Sequence, residues 1–206
     1  MVAIIDYDAG NIKSVEKAIA FLGEKAVITR EPSEILTAER VILPGVGSFG
    51  DAMEKLHHYG LVPVIKEAIE RQIPFLGICL GLHLLFERSE ESPEAAGLGI
   101  LPGKIKRIPD KEGLKIPHIG WNSLNFKRQG RLFQGLDEET YVYFVHSYYL
   151  EAEDEEIVTA TSEYGVTIHA SVEKGNVFAC QFHPEKSSEA GLKMLDNFLK
   201  IRREER

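Results

Sequence analysis

Only two cysteines, Cys79 and Cys180, occur among 206 residues. That is too few for a disulfide framework, and it fits a reducing cytoplasm. Basic residues are in the minority: 32 acidic against 24 basic side chains leave a net charge of −8, which argues against nucleic acid or an anionic membrane surface as partner. Long apolar runs are missing too. The longest, residues 75–86, is too short to span a bilayer and contains His83. The start, Met1-Val2-Ala3-Ile4-Ile5-Asp6, has no basic stretch and meets an aspartate at position six, so it reads as a first strand and not as a signal peptide. None of the seven histidines stands with cysteines or acids at zinc-ligand spacing, and neither metal nor cofactor is expected. With no internal repeat and no dividing linker, the 206 residues suit one domain, 1–206, with a substantial core.

What is present is a change of rhythm halfway along. The first half alternates: a strand over 2–6, a helix over 11–22 with Ile12, Val15, Ala18, Ile19 and Leu22 on one stripe, strands near 26–29 and 41–43, a helical stretch over 51–71, and a strand over 75–78. Such alternation predicts an α/β fold, a three-layer, doubly wound mixed sheet. The second half is strand-rich, at 104–108, 123–126, 141–145, 157–161, 167–172 and 177–182, with a closing helix over 188–202. Strands without intervening helices predict antiparallel additions to the sheet. The acidic runs 87–94 and 151–156 read as solvated loops.

Chemistry concentrates in two places. The first is Phe75-Leu76-Gly77-Ile78-Cys79-Leu80-Gly81. An apolar strand running into a leucine-rich helix with glycines two residues either side of the cysteine predicts a sharp strand-to-helix corner, because side chains at 77 and 81 would collide there. A thiol at that corner lies at a helix N-terminus, which favours the thiolate, and the Leu80 N–H is left free for a developing oxyanion. Alone, a cysteine in an apolar run is equally a packed hydrophobe.

The second is His183-Pro184-Glu185. In extended chain, residues i and i+2 face the same way, and Pro184 biases His183 toward that conformation. A carboxylate beside an imidazole fixes its tautomer and stabilises its charged form. Thiol, imidazole and carboxylate together are the parts of a cysteine acyl-transfer site. Competing groups are weaker: Cys180 lies inside an alternating strand, His146 has no acid within two positions, and His57 and His58 read as surface residues.

Gly45-Val46-Gly47-Ser48-Phe49-Gly50 formally matches a dinucleotide-binding fingerprint, but Pro44 precedes it and the next strand ends in Cys79 instead of an acid. Its backbone N–H groups suit the other half of an oxyanion hole.

These segments resemble the class I (triad) glutamine amidotransferases, whose Gly-x-Cys-x-Gly elbow, late His-x-Glu pair and Pro-Gly-rich oxyanion segment appear here as Gly77–Gly81, His183–Glu185 and Pro44–Gly47. Asp8-Ala9-Gly10-Asn11, Pro117-His118-Ile119-Gly120-Trp121-Asn122 and His183-Pro184-Glu185-Lys186-Ser187 point further, to the subunits that serve histidine biosynthesis. The resemblance implies a flavodoxin-like sheet and a cytoplasmic glutaminase that hydrolyses L-glutamine and passes ammonia to a (β/α)8-barrel synthase partner in a heterodimer. It implies Cys79, His183 and Glu185 as catalytic residues, with Leu80, Val46 and Gly47 as oxyanion donors. Gly45, Gly47, His83, Glu91, Ser147 and Tyr148 fall around the substrate, and Asn11, Trp121, Asn122 and Lys186 at the partner interface. His83 stands where many relatives carry a substrate-binding glutamine, and it reads either as a donor to substrate or as a packed helix residue. Trp121 and Lys186 have plain readings too, as a core aromatic and a solvated cation. Service to anthranilate or pyridoxal phosphate synthesis, or a non-catalytic module of the same fold, are the alternatives.

Overall fold

The computed structural model describes residues 1–203. The first half runs β1 (Val2–Ile5), α1 (Ile12–Phe21), β2 (Ala26–Thr29), α2 (Pro32–Thr37), β3 (Arg40–Leu43), α3 (Phe49–His58), α4 (Leu61–Glu70), β4 (Phe75–Ile78) and α5 (Leu80–Leu84). Eight short strands follow without a regular α-helix between them: β5 (Arg88–Ser89), β6 (Gly103–Arg107), β7 (His118–Ser123), β8 (Asn125–Phe126), β9 (Tyr141–His146), β10 (Tyr148–Ala152), β11 (Val158–Glu163) and β12 (Thr167–Lys174). Strand β13 (Val177–Cys180) and helix α6 (Ser188–Lys200) come last.

The main sheet has the order β2-β1-β3-β4-β13-β12-β11-β8. From β2 to β13 neighbours pair in parallel; β12, β11 and β8 continue the sheet antiparallel. Every residue of β1, β3, β4 and β13 is buried, as parallel strands covered on both faces must be. Alternate residues feed two cores. Ala3, Ile5, Val41, Leu43 and Phe75 pack with α3 and α4 on one side. Val2, Ile4, Ile42, Leu76 and Ile78 pack with α1 and α6 on the other. The result is the mixed, doubly wound three-layer sheet that the alternation predicts.

Several details depart from the sequence reading. The helical stretch 51–71 is two helices, broken at Tyr59-Gly60 where Gly60 adopts φ 65°. Helix α2 was not anticipated; only its Ile35 is buried, so it shows no apolar period. Trp121 and Asn122 lie on a strand, since β7 starts at His118 and pairs antiparallel with β9 in a separate two-stranded ribbon. The acidic runs are not wholly loops: Arg88–Ser89 and Tyr148–Ala152 flank β6 in a three-stranded sheet.

Candidate active site

Strands β4 and β13 are neighbours, which brings two distant segments together. Beyond their C-terminal ends the Cys79 N–H donates to the Cys180 carbonyl oxygen at 2.8 Å. Cys79 occupies the corner between β4 and α5 with φ 54° and ψ −109°, a conformation that costs an L-residue about 1–3 kcal/mol and marks a nucleophile elbow. The two glycines are required as expected. A Cβ on Gly77 would sit 2.7 Å from the Gly81 carbonyl oxygen, and one on Gly81 would collide with the Leu43 carbonyl.

Two expectations at this corner fail. The helix after Cys79, expected to favour the thiolate through its N-terminus, has only five residues, Leu80–Leu84, so its dipole is small. The Leu80 N–H is not free; it donates to the Gly45 carbonyl oxygen at 3.4 Å. Such a long bond is weak and easily broken.

His183 and Glu185 face one site, though not as an extended pair. β13 ends at Cys180, His183 is extended (φ −101°, ψ 96°), and Pro184–Lys186 form a 3-10 turn that folds the carboxylate back onto the imidazole. The His183 Nδ1 to Glu185 Oε1 distance is 2.8 Å, with side chains 2% and 1% exposed. Ser187 secures the turn: its hydroxyl donates to the His183 carbonyl at 2.6 Å and accepts the Tyr143 N–H at 3.0 Å, while the His183 N–H donates to the Tyr143 carbonyl. Burial alone would push the His183 pKa down. The Cys79 thiolate and the Glu185 carboxylate outweigh it and hold the ring at about 9. The Nε2 of His183 closes no hydrogen bond of full geometry, but the sulfur is near enough to act on its charge. The ring beside the sulfur is therefore charged at neutral pH.

Cys79, Leu80 and His183 line one cavity of about 320 Å³ together with Val46, Gly47, His83, Glu91, Ser147 and Tyr148, a volume suited to a small metabolite. Gly45 lies behind its wall, where a Cβ would meet Tyr7 Oη, Leu80 Cβ at 2.9 Å and Gly81 N at 3.2 Å. Tyr7 fixes this segment by donating to the Pro44 carbonyl at 2.8 Å; burial first, and then Cys79, hold its phenol protonated. Glu91 accepts the Phe49 N–H at 2.9 Å, and burial raises its pKa.

Three residues passed over in the sequence also matter. Pro117 and His146 line the cavity, and Gln181 bridges His83 (Oε1 to Nε2, 2.7 Å) and Cys79 (Nε2 to Sγ, 3.9 Å). Spacing could have flagged Gln181, which stands two positions before His183.

The remaining residues sit apart from the cavity. Asn11 lies behind the pair, its Nδ2 donating to Glu185 Oε1 at 2.9 Å. Trp121 is 53% exposed and is not a core aromatic. Asn122 Nδ2 donates to the Glu163 carbonyl at 2.9 Å, and Lys186 is exposed. Among the described residues, no group of three or more His, Cys, Asp and Glu could hold a metal, and no helix is long and apolar enough to cross a membrane.

Comparison with known proteins agrees with this geometry. The family model for glutamine amidotransferase class-I matches residues 3–201. The imidazole glycerol phosphate synthase subunit HisH of Moorella thermoacetica is 54% identical over 197 residues, covering 96% of this chain and 93% of the relative. The protein of the same name from Thermosynechococcus vestitus is 50% identical, covering 97% and 96%. Among solved structures, a glutamine amidotransferase superposes with TM-score 0.74 at 21% identity, covering 96% of this chain and 99% of the other. One from Thermotoga maritima superposes at 0.68 and 18%, covering 97% and 96%. The chain belongs to the class-I glutamine amidotransferases.

Proposed function

We propose that this chain is the glutaminase subunit of an imidazole glycerol phosphate synthase, acting as one domain in the cytoplasm. It hydrolyses L-glutamine and delivers ammonia to a (β/α)8-barrel partner that forms imidazole glycerol phosphate and aminoimidazole carboxamide ribonucleotide in histidine biosynthesis. The observation that carries the reading is that Cys79 and His183 line one small cavity with Glu185 bonded to the far side of the imidazole, in a chain 54% identical to a HisH subunit along nearly its whole length.

The Cys79 thiolate attacks the side-chain amide carbon of glutamine. The His183 imidazolium, oriented by Glu185, gives its proton to the departing ammonia. The neutral ring then takes a proton from water, which hydrolyses the glutamyl thioester. The oxyanion needs N–H donors, and the Leu80 N–H is tied to the Gly45 carbonyl. Rotation of the peptides around Val46 releases that N–H and turns those of Val46 and Gly47 inward. Gly47, at φ 104° with no atom near a would-be Cβ, is the residue that permits the motion. The resting arrangement is therefore that of a glutaminase with low activity until its partner acts on the segment.

The face suited to that partner is the β7–β9 ribbon. Ile119, Trp121 and Tyr141 are 60%, 53% and 56% exposed there, an aromatic patch of the kind buried in stable interfaces. Lys186 lies one residue beyond Glu185, on the turn bonded to Tyr143 of that ribbon.

Glutamine hydrolysis measured in complex with the barrel subunit tests the reading. Cys79→Ala should abolish ammonia release from glutamine while the partner still turns over with added ammonium, and His183→Asn should cost about a thousandfold. Glutamine use retained by Cys79→Ala would overturn it.

A further inference from the structure

Gln181 is fully buried, directly after the last residue of β13. Its side chain touches the nucleophile on one side and a second buried residue on the other: Nε2 lies 3.9 Å from Cys79 Sγ and Oε1 lies 2.7 Å from His83 Nε2. With a thiolate at Cys79, one arrangement of protons satisfies both contacts. An amide oxygen facing a thiolate would be repelled, so the NH2 group points to sulfur. The oxygen must then accept, so His83 carries its proton on Nε2.

We propose that Gln181 is a catalytic residue whose amide N–H stabilises the Cys79 thiolate, and that His83 is the positioning residue that fixes this amide. The contact to sulfur is long for a thiol, and it is one that a negative charge would tighten. His83 suits the task because burial holds its pKa at about 4, against the opposing pull of Gln181. It stays neutral at working pH and donates steadily without adding charge. This is a different duty from touching the substrate, and it accounts for an imidazole deep in α5.

Other groups act on the same sulfur and set the background. They are His183, with Glu185 behind it, from the turn after β13, Cys180 at the end of β13 and Tyr7 after β1, while His146 at the end of β9 and Glu91 after β5 line the same cavity. His146 is neutral through burial and Cys180 is held protonated by burial. The alkylation midpoint therefore belongs to the Cys79–His183 pair and not to the sulfur alone.

The proposal rests on the glutaminase reading only for the identity of the reaction; the state of the sulfur is measurable without glutamine or partner. The full chain is alkylated with iodoacetamide from pH 5 to 9, and modification of Cys79 is followed separately from Cys180 by peptide mass spectrometry. In Gln181→Leu the midpoint should rise by about one unit. A more basic thiolate is intrinsically more nucleophilic, so the rate should fall about threefold below the midpoint and rise about threefold on the plateau. His83→Leu should show the same crossing to a smaller extent. His83→Gln, which can still donate to the Gln181 oxygen, should return to the wild-type curve. A merely structural role would lower both limbs together and leave the midpoint in place, and that result overturns the proposal. Should Gln181→Leu fail to fold, equal midpoints for His83→Leu and His83→Gln would overturn it just as well. Absence of ammonia from glutamine in the wild-type complex would count against the glutaminase reading and leave these curves untouched.

Discussion

Asn11 and Glu185, 174 positions apart, share a carboxylate oxygen with His183: Asn11 Nδ2 at 2.9 Å and His183 Nδ1 at 2.8 Å both point at Glu185 Oε1. The other oxygen, Oε2, is buried without a hydrogen-bond partner. The carboxylate that orients the imidazole is thus held by the loop after β1, a segment the sequence reading assigned to the partner interface. Asn11 adopts φ 66°, a conformation asparagine tolerates and glycine prefers.

Asn11→Gly should therefore keep the loop and remove only the amide. A hydrogen bond to a charged group contributes about 1.5–3 kcal/mol, so glutamine hydrolysis in the complex should slow about tenfold or more. Thermal stability should fall by no more than that same amount. An unaltered rate in steady-state assays would show that Glu185 needs no second support.

Two glycines that pack at the corner, Gly45 and Gly81, separate activity from folding. Gly45→Ala would press on the Tyr7 hydroxyl, Leu80 Cβ and Gly81 N, displacing the segment whose carbonyl holds the Leu80 N–H. Glutaminase activity should shift at least tenfold with ammonium-dependent turnover by the partner unchanged. Gly81→Ala drives a methyl into the Leu43 backbone carbonyl and should lower stability by about 3 kcal/mol in urea unfolding. Equal effects of both variants on stability would contradict this division.

Buried neutral histidines make stability depend on acid. Burial holds His118 at about 4 and His146 at about 3, against 6.5 for an unperturbed ring. An unfolded chain takes up protons below about 6.5 that the folded chain refuses. The stability from these rings is complete above 6.5 and is lost as pH falls toward 4, by at most about 1.4 kcal/mol per pH unit for each. His183 runs the other way: held at about 9, its contribution is complete below 6.5 and is lost as pH rises through 9. His118→Gln should flatten the fall in urea midpoint between pH 7 and 5. A fall as steep as in the wild type would rule His118 out as a cause.

At the proposed partner face, Trp121→Ala removes an exposed aromatic and Lys186→Glu reverses an exposed charge beside Glu185. Both should weaken complex formation, the first by about 2 kcal/mol or more if Trp121 anchors the interface. Titration calorimetry against the barrel subunit reads the loss directly. Affinity and activation both unchanged in the two variants would move the interface elsewhere.

What was legible in the sequence follows physical lines. Phe75–Ile78 was read to the residue because a doubly buried strand is uniformly apolar, and Gly77 and Gly81 announced the corner because nothing larger fits there. Helix α2 and strand β7 were invisible: the first buries one side chain, and the second, with His118, Gly120 and Asn122, carries polar and small residues on an open ribbon. Contacts between remote elements left no local trace. His118 Nδ1 meets His146 Nε2 at 3.0 Å across β7 and β9, and Gln181 meets His83 across β13 and α5, yet neither pair is spaced in any telling way along the chain. The Leu80 N–H looked free because its acceptor, Gly45, comes from another loop.

Strand β13 sits between β4 and β12, at the middle of the sheet, although it is the last strand to leave the ribosome. A nascent chain bears its thiol long before it has the base that gives the thiol purpose. The sulfur and the imidazole can thus meet only when the final strand has been threaded into the centre of the sheet.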